Sequence, residues 1–238
     1  MKLLLLPAGV VAAALVLVAA APAANNPADR GKQLYTEACS SCHGLSLEGI
    51  PNRGPKLRGA GALAADFYLR TGRMPLDKPT DEPLREKPAF SRADIDALVA
   101  YIGSFGGPPI PPVNAGRGDL AAGREAFTAH CAGCHQVVGE GGIVTRARVP
   151  RVGGVAPLDV AEAVRMGPYL MPPFGEKTLP QHEVDSIARY LQYAKHPDDR
   201  GGWAIGHIGP VPEGMVAWFI GALALVLLAR TLGERNET

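Results

Sequence analysis

Two pentapeptides carry the chemistry of this 238-residue chain: Cys39-Ser-Ser-Cys42-His43 and Cys131-Ala-Gly-Cys134-His135. Between them they hold all four cysteines. Two thiols at this spacing lie on one helical turn and can add across both vinyl groups of a single porphyrin. The next residue then presents imidazole to the iron from the same side, which makes the pattern the attachment signature of c-type haem. A thioredoxin-like dithiol has no reason to recur with His and lacks a strand–helix pattern around it. A shared four-cysteine zinc site would leave both histidines idle. The motif predicts two haem c groups, attached through Cys39, Cys42, Cys131 and Cys134, with His43 and His135 as axial ligands of the iron.

The sixth ligand decides what such a haem can do. Five methionines are available: Met1, Met74, Met166, Met171 and Met215. Met74, in Thr71-Gly-Arg-Met-Pro75, is the sole candidate in the first half of the molecule. The second half offers Met166 and Met171. Met166 follows His135 by 31 residues, as Met74 follows His43, so spacing alone favours it. Context favours Met171. Leu69-Arg-Thr-Gly72 aligns with Val164-Arg-Met-Gly167, a helix end with its glycine, which puts Met166 on the helix. Met171-Pro172 then matches Met74-Pro75. Methionine is otherwise a core filler, but here a haem needs a ligand, and the reading takes Met171 with Met166 as the alternative. His130, His182, His196 and His207 read as solvated or interfacial. His/Met ligation fills both axial sites, so the iron changes oxidation state without binding substrate. No triad, paired-carboxylate site or phosphate loop accompanies the haem motifs, so no independent catalytic site is expected.

The elements that position these residues come as an internal repeat. Gly31-Lys-Gln-Leu-Tyr-Thr-Glu-Ala-Cys39 recurs without a gap as Gly123-Arg-Glu-Ala-Phe-Thr-Ala-His-Cys131. Pro55-Lys-Leu-Arg-Gly59 is echoed by Pro150-Arg-Val-Gly-Gly154. A closing helix appears twice, with Ile95, Leu98, Val99 and Ile102 matching Val184, Ile187, Ala188 and Leu191 on one apolar face. Tyr101 and Tyr190 also coincide. Ser91 with Asp94, and Thr178 with Gln181, supply helix starts. The repeat predicts an all-α chain of two units, 25–107 and 117–200, joined by a Pro-rich linker at 108–116 that its prolines stiffen.

The two ends differ in kind. Residues 1–24 are a short basic start, a long apolar run and a small-residue close. They read as a signal peptide or, if retained, an N-terminal anchor. After a Gly/Pro-rich connector at 201–210, residues 211–232 form an apolar stretch long enough for one transmembrane helix. Pro212 fits its first turn, Trp218 its outer interface, and Arg230 can snorkel at the inner end. This predicts a single-pass protein of the cell membrane (two-pass if 1–24 is kept) with both units on the extracytoplasmic side. A net charge of +1 leaves no electrostatic footprint for nucleic acid. Hydrophobic residues make up 47% of the chain but aromatics only 6%, with Gly 29 and Pro 22. Two porphyrins would supply the missing ring surface, and the haem-enclosing loops and linkers would use the Gly and Pro.

The units resemble class I cytochrome c domains: an aromatic-bearing first helix, Cys-x-x-Cys-His, a Gly-Pro-x-Leu loop, a Met-Pro loop and a closing helix. The resemblance implies that the carbonyls of Pro55 and Pro150 accept a hydrogen bond from the haem histidines, although Pro150 lacks the glycine of Gly54-Pro55. It also implies that Gly31 and Tyr35 pack on Tyr101, and Gly123 and Phe127 on Tyr190. The whole layout is similar to the dihaem cytochrome c subunit of actinobacterial-type menaquinol–cytochrome c reductase. That resemblance implies a cytochrome b subunit, a Rieske iron–sulfur subunit and a terminal cytochrome c oxidase as partners, with this chain carrying electrons between the last two. The alternative is a membrane-anchored dihaem cytochrome c serving an extracytoplasmic dehydrogenase or another oxidase.

Overall fold

A computed structural model describes residues 27–144, 147–198 and 210–236. The leader-or-anchor segment 1–24 and nearly all of the connector 201–210 lie outside the described residues. The repeat read from the sequence appears as two helical sets in the same order. The first contains α1 (Pro27–Ala38), α2 (Ser40–His43), α3 (Gly61–Arg70) and α4 (Arg92–Gly103). The second contains α5 (Leu120–His130), α6 (Ala132–His135), α7 (Pro157–Met166) and α8 (Gln181–Lys195).

In each set the first and last helices cross at a glycine. A Cβ at Gly31 would overlap the carbonyl oxygen of Ala97 on α4, and a Cβ at Gly123 would overlap that of Ser186 on α8. The expected aromatic pairs close over these crossings: Tyr35 on Tyr101 with ring centroids 5.5 Å apart, and Phe127 on Tyr190 at 5.6 Å. Each set has its own core. One gathers Leu34, Tyr35, Leu47, Leu69, Ile95 and Leu98, the other Phe127, Val160, Leu179, Val184, Ile187 and Leu191.

The all-α expectation meets one exception. Between His135 and Pro150 the second set inserts a short hairpin, β1 (Gly142–Val144) antiparallel to β2 (Ala147–Val149), with Ile143 opposite Arg148. Its branched residues suit extended chain. Gly141, at φ 70°, leaves room for the carbonyl of Val149. The first set makes the same passage with a tight turn closed by a bridge between Ile50 and Gly54. The helix starts also divide. Ser91 caps α4 as expected, its Oγ accepting from Asp94 N at 3.2 Å. Thr178 does not cap α8, which begins at Gln181 behind Pro180. Thr178 N instead donates to Gly175 O at 3.1 Å in the preceding turn.

The ninth helix, α9 (Pro210–Asn236), contains Val211–Gly233, which is long and apolar enough to cross a membrane and has none of that stretch buried in the protein. At 1.5 Å per residue its 23 residues span about 35 Å, somewhat more than a ~30 Å hydrocarbon layer.

Candidate haem sites

Both Cys-x-x-Cys-His segments form a single helical turn, α2 and α6, directly after the aromatic-bearing helix. His43 N and His135 N donate to the carbonyls of Cys39 and Cys131, each at 2.9 Å. This closes one turn and brings both thiols and the imidazole together. No disulfide joins the four cysteines, so all four sulfurs are available for attachment.

Each imidazole is oriented by its second nitrogen. His43 Nδ1–H donates to Pro55 O at 2.8 Å, and His135 Nδ1–H donates to Pro150 O at 3.1 Å. That bond assigns the proton to Nδ1 and leaves the Nε2 lone pair for iron. Burial holds His135 below its usual range despite the Pro150 bond, which favours the neutral ring that ligation needs. Gly54 passes close to the backbone of Cys42, where a Cβ would lie 2.9 Å from its carbonyl oxygen. The second set has Val149 at this place, the last residue of β2.

Tyrosine hydroxyls tie the helix pair to the chain just beyond each histidine, but from opposite helices. In the first set Tyr35 of α1 donates to Gly44 O at 2.6 Å. Phe127 has no hydroxyl, and in the second set Tyr190 of α8 donates to Val137 O at 2.7 Å.

Met74 packs on the first core, as do Cys39 and Leu57. Cys131, Cys134, His135 and Met171 line one cavity of about 290 Å³, which shares lining residues with a smaller one of about 100 Å³. Met166 is the last residue of α7, ahead of the left-handed Gly167, and lines neither cavity. His130 is exposed and edges the cavity beside Phe174, with ring centroids 6.1 Å apart. Apolar walls, two free thiols and an imidazole with one free nitrogen fit haem c.

Sequence reasoning missed a group of charged residues that joins the two sets through α3 and α7. Arg70 binds Asp66 on its own helix at 2.7 Å and also pairs with Asp159 and Glu162 on α7. Arg85 binds the second oxygen of Asp159 at 2.6 Å. The three carboxylates are all buried. Burial works against the Arg70 charge, but its bonds to Asp159 and Asp66 raise it above its ordinary range. Glu162 behaves oppositely. Burial and then the Asp66 carboxyl push it up to about 8, although Arg70 opposes the shift. Its Oε1 has no hydrogen-bond partner among the described residues. The available signal was the arginine common to Leu69-Arg-Thr-Gly72 and Val164-Arg-Met-Gly167.

Two tandem helical units, each built to hold a covalent haem beside a methionine loop, define a dihaem c-type cytochrome. Comparisons with known proteins sharpen this. Residues 28–105 match the family model for cytochrome c, and residues 118–191 match that for cytochrome C oxidase, cbb3-type, subunit III. Over 225 residues the chain is 34% identical to the cytochrome bc1 complex cytochrome c subunit of Corynebacterium diphtheriae, covering 87% of this chain and 80% of that protein. The same subunit of Mycobacterium tuberculosis is 36% identical over 216 residues, covering 87% and 77%. That of Mycobacterium leprae is 36% identical over 215, covering 86% and 74%. The chain belongs to the family of cytochrome c subunits of the cytochrome bc1 complex. Two haem c groups and an electron-transfer role in the respiratory chain follow from that membership, and α9 fits membrane anchoring.

Proposed function

We propose that this chain carries electrons from a Rieske iron–sulfur subunit to a terminal cytochrome oxidase, within a menaquinol–cytochrome c reductase that also contains a cytochrome b subunit. Haem c supplies a one-electron change at iron when bound. His43 with Met74, and His135 with Met171, would hold the two haem irons. The carbonyls of Pro55 and Pro150 hold the imidazoles in the ligating tautomer. Residues 25–107 and 117–200 are the two haem units, held outside the cytoplasm by the span at 211–232, with 108–116 as the connection.

The observation that carries this reading is the docking of the two units through α3 and α7. Loose tandem cytochromes would exchange electrons over a varying distance. Here buried ion pairs hold one unit against the other, as a two-step carrier requires. The match of 118–191 to a cbb3-type oxidase subunit favours a second reading, in which the chain serves another oxidase directly. Gentle detergent extraction from native membranes tests both. Co-purification of cytochrome b and Rieske subunits with quinol-dependent oxygen uptake is the expected result. Recovery with oxidase or dehydrogenase subunits alone would replace it with the alternative.

A further inference from the structure

The cavity beside His135 and Met171 is not walled by the second unit alone. Tyr68, Arg73 and residues 82–85 of the first unit line one side of it, and Phe67, Arg73 and Arg85 line the smaller adjoining cavity. Local structure in the first unit brings them there. Gly72, at φ 68°, lets the chain return against it, and a Cβ at that position would overlap the Glu86 carbonyl. Glu86 N closes the return by donating to Thr71 O at 3.1 Å. The preceding residue, Arg85, then reaches Asp159 on α7. Arg73 is held by an Nη1 bond to Pro83 O at 2.6 Å and by the Phe67 ring, whose centroid is 5.3 Å from its guanidinium carbon.

The charge on that wall is unbalanced. Arg73 Nε is buried and has no partner among the described residues. Asp159 forms no ion pair with Arg73 among the described residues, since its two oxygens go to Arg70 and Arg85. Glu82 lines the cavity but forms no ion pair with either arginine among the described residues. A buried guanidinium donor left unpaired beside a second cation is unfavourable unless an anion completes the site. Arginine forks match carboxylates in particular. The porphyrin that this cavity accepts carries two carboxylates, its propionates.

We propose that the first unit completes the haem site of the second: Arg73, flanked by Arg85, binds a propionate of the haem attached at Cys131 and Cys134. The proposal rests on haem attachment at that motif and not on which complex the chain joins. The cation favours the reduced state of the second haem, because reduction adds negative charge. Since Arg73 directly precedes Met74, the contact also fixes the second haem against the ligand loop of the first.

Redox titration of the purified full chain carrying both haems reads this directly. Arg73→Gln is expected to lower the midpoint potential of one haem, and Arg73→Lys to lower it less. The same Arg73→Gln change in a Cys131→Ala/Cys134→Ala chain, which keeps only the first haem and the Met74 loop that Arg73 supports through Pro83, is expected to shift the remaining midpoint by much less. Unchanged midpoints in the dihaem chain, or an equal shift in the single-haem chain, would overturn the proposal. Should the double-cysteine variant not accumulate, resonance Raman of the dihaem Arg73→Gln chain gives the answer. A moved propionate-bending band at one of the two haems supports the contact, and unmoved bands refute it.

Discussion

Arg70 and Arg165 hold the same place at the ends of α3 and α7, yet they act on different partners. Arg165 turns back on its own unit. Its Nη1 donates to Phe174 O at 3.0 Å and Leu179 O at 2.7 Å, clamping the loop that carries Met171. Arg70 turns outward to Asp159 and Glu162 of the other unit. The loops beyond them differ to match. At Gly167 the chain returns at once, with Met171 to Pro173 lying against the glycine, whereas at Gly72 it is Glu86 and Lys87 that return. The longer excursion after Met74 frees its chain to reach across, and Arg73 takes over local support through Pro83. One architecture thus yields a unit that braces its own methionine loop and a unit that also holds its neighbour. The lesson is that a duplicated fold can diverge in its loops while its helix crossings stay the same.

The largest expected effects come from the methionine loops. Met171→Ala should abolish about half of the Met–iron charge-transfer absorption and lower one midpoint potential, as loss of a thioether ligand does. Met166→Ala should leave both unchanged. The opposite pattern would exchange their roles. Next, Arg70→Ala leaves three buried carboxylates without their main cation and should cost about 3–5 kcal/mol in chemical denaturation. Arg165→Ala should instead weaken Met171 ligation while leaving the units docked. Equal losses of docking in the two variants would erase the contrast drawn above.

Smaller effects test what the units share. Gly31→Ala and Gly123→Ala each force a methyl onto a backbone carbonyl, so each should cost about 1–3 kcal/mol. Clearly unequal penalties in thermal melts would mean that the crossings are not equivalent. The smallest effect concerns pH. Glu162 lies at about 8 in the folded chain against 4.5 for the free group. The folded state therefore keeps a proton that the unfolded state loses. Its contribution is complete below about pH 4.5 and is lost as pH rises toward 8, with a slope of at most about 1.4 kcal/mol per pH unit. Glu162→Gln should flatten that fall in melts between pH 5 and 8. A wild-type slope unchanged by the substitution would remove Glu162 as its source.

Much of this was legible beforehand because it depends on neighbours in sequence or on one helical period. The Cys-x-x-Cys-His turns appear where the repeat placed them, and the Gly31 and Gly123 crossings with their aromatic pairs, and the bonds from His43 to Pro55 and from His135 to Pro150, appear where the resemblance to cytochrome c implied them. The hairpin at 142–149 was missed because its strands are three residues each, too short for alternation to register. The start of α8 was misassigned because a proline, and not a hydroxyl side chain, precedes it.

By itself the sequence determined two haem-bearing helical units and an apolar helix fit to anchor them, since covalent attachment and helix faces are written in short-range spacing. Only the tertiary structure decided that Arg70 serves the neighbouring unit while Arg165 serves its own. Only there, too, do Arg73 and Arg85 meet the second unit's cavity. Those pairings link residues far apart in the chain, and the choice between them rests on which charges lose their water together, a property of the packed interface and not of any local pattern.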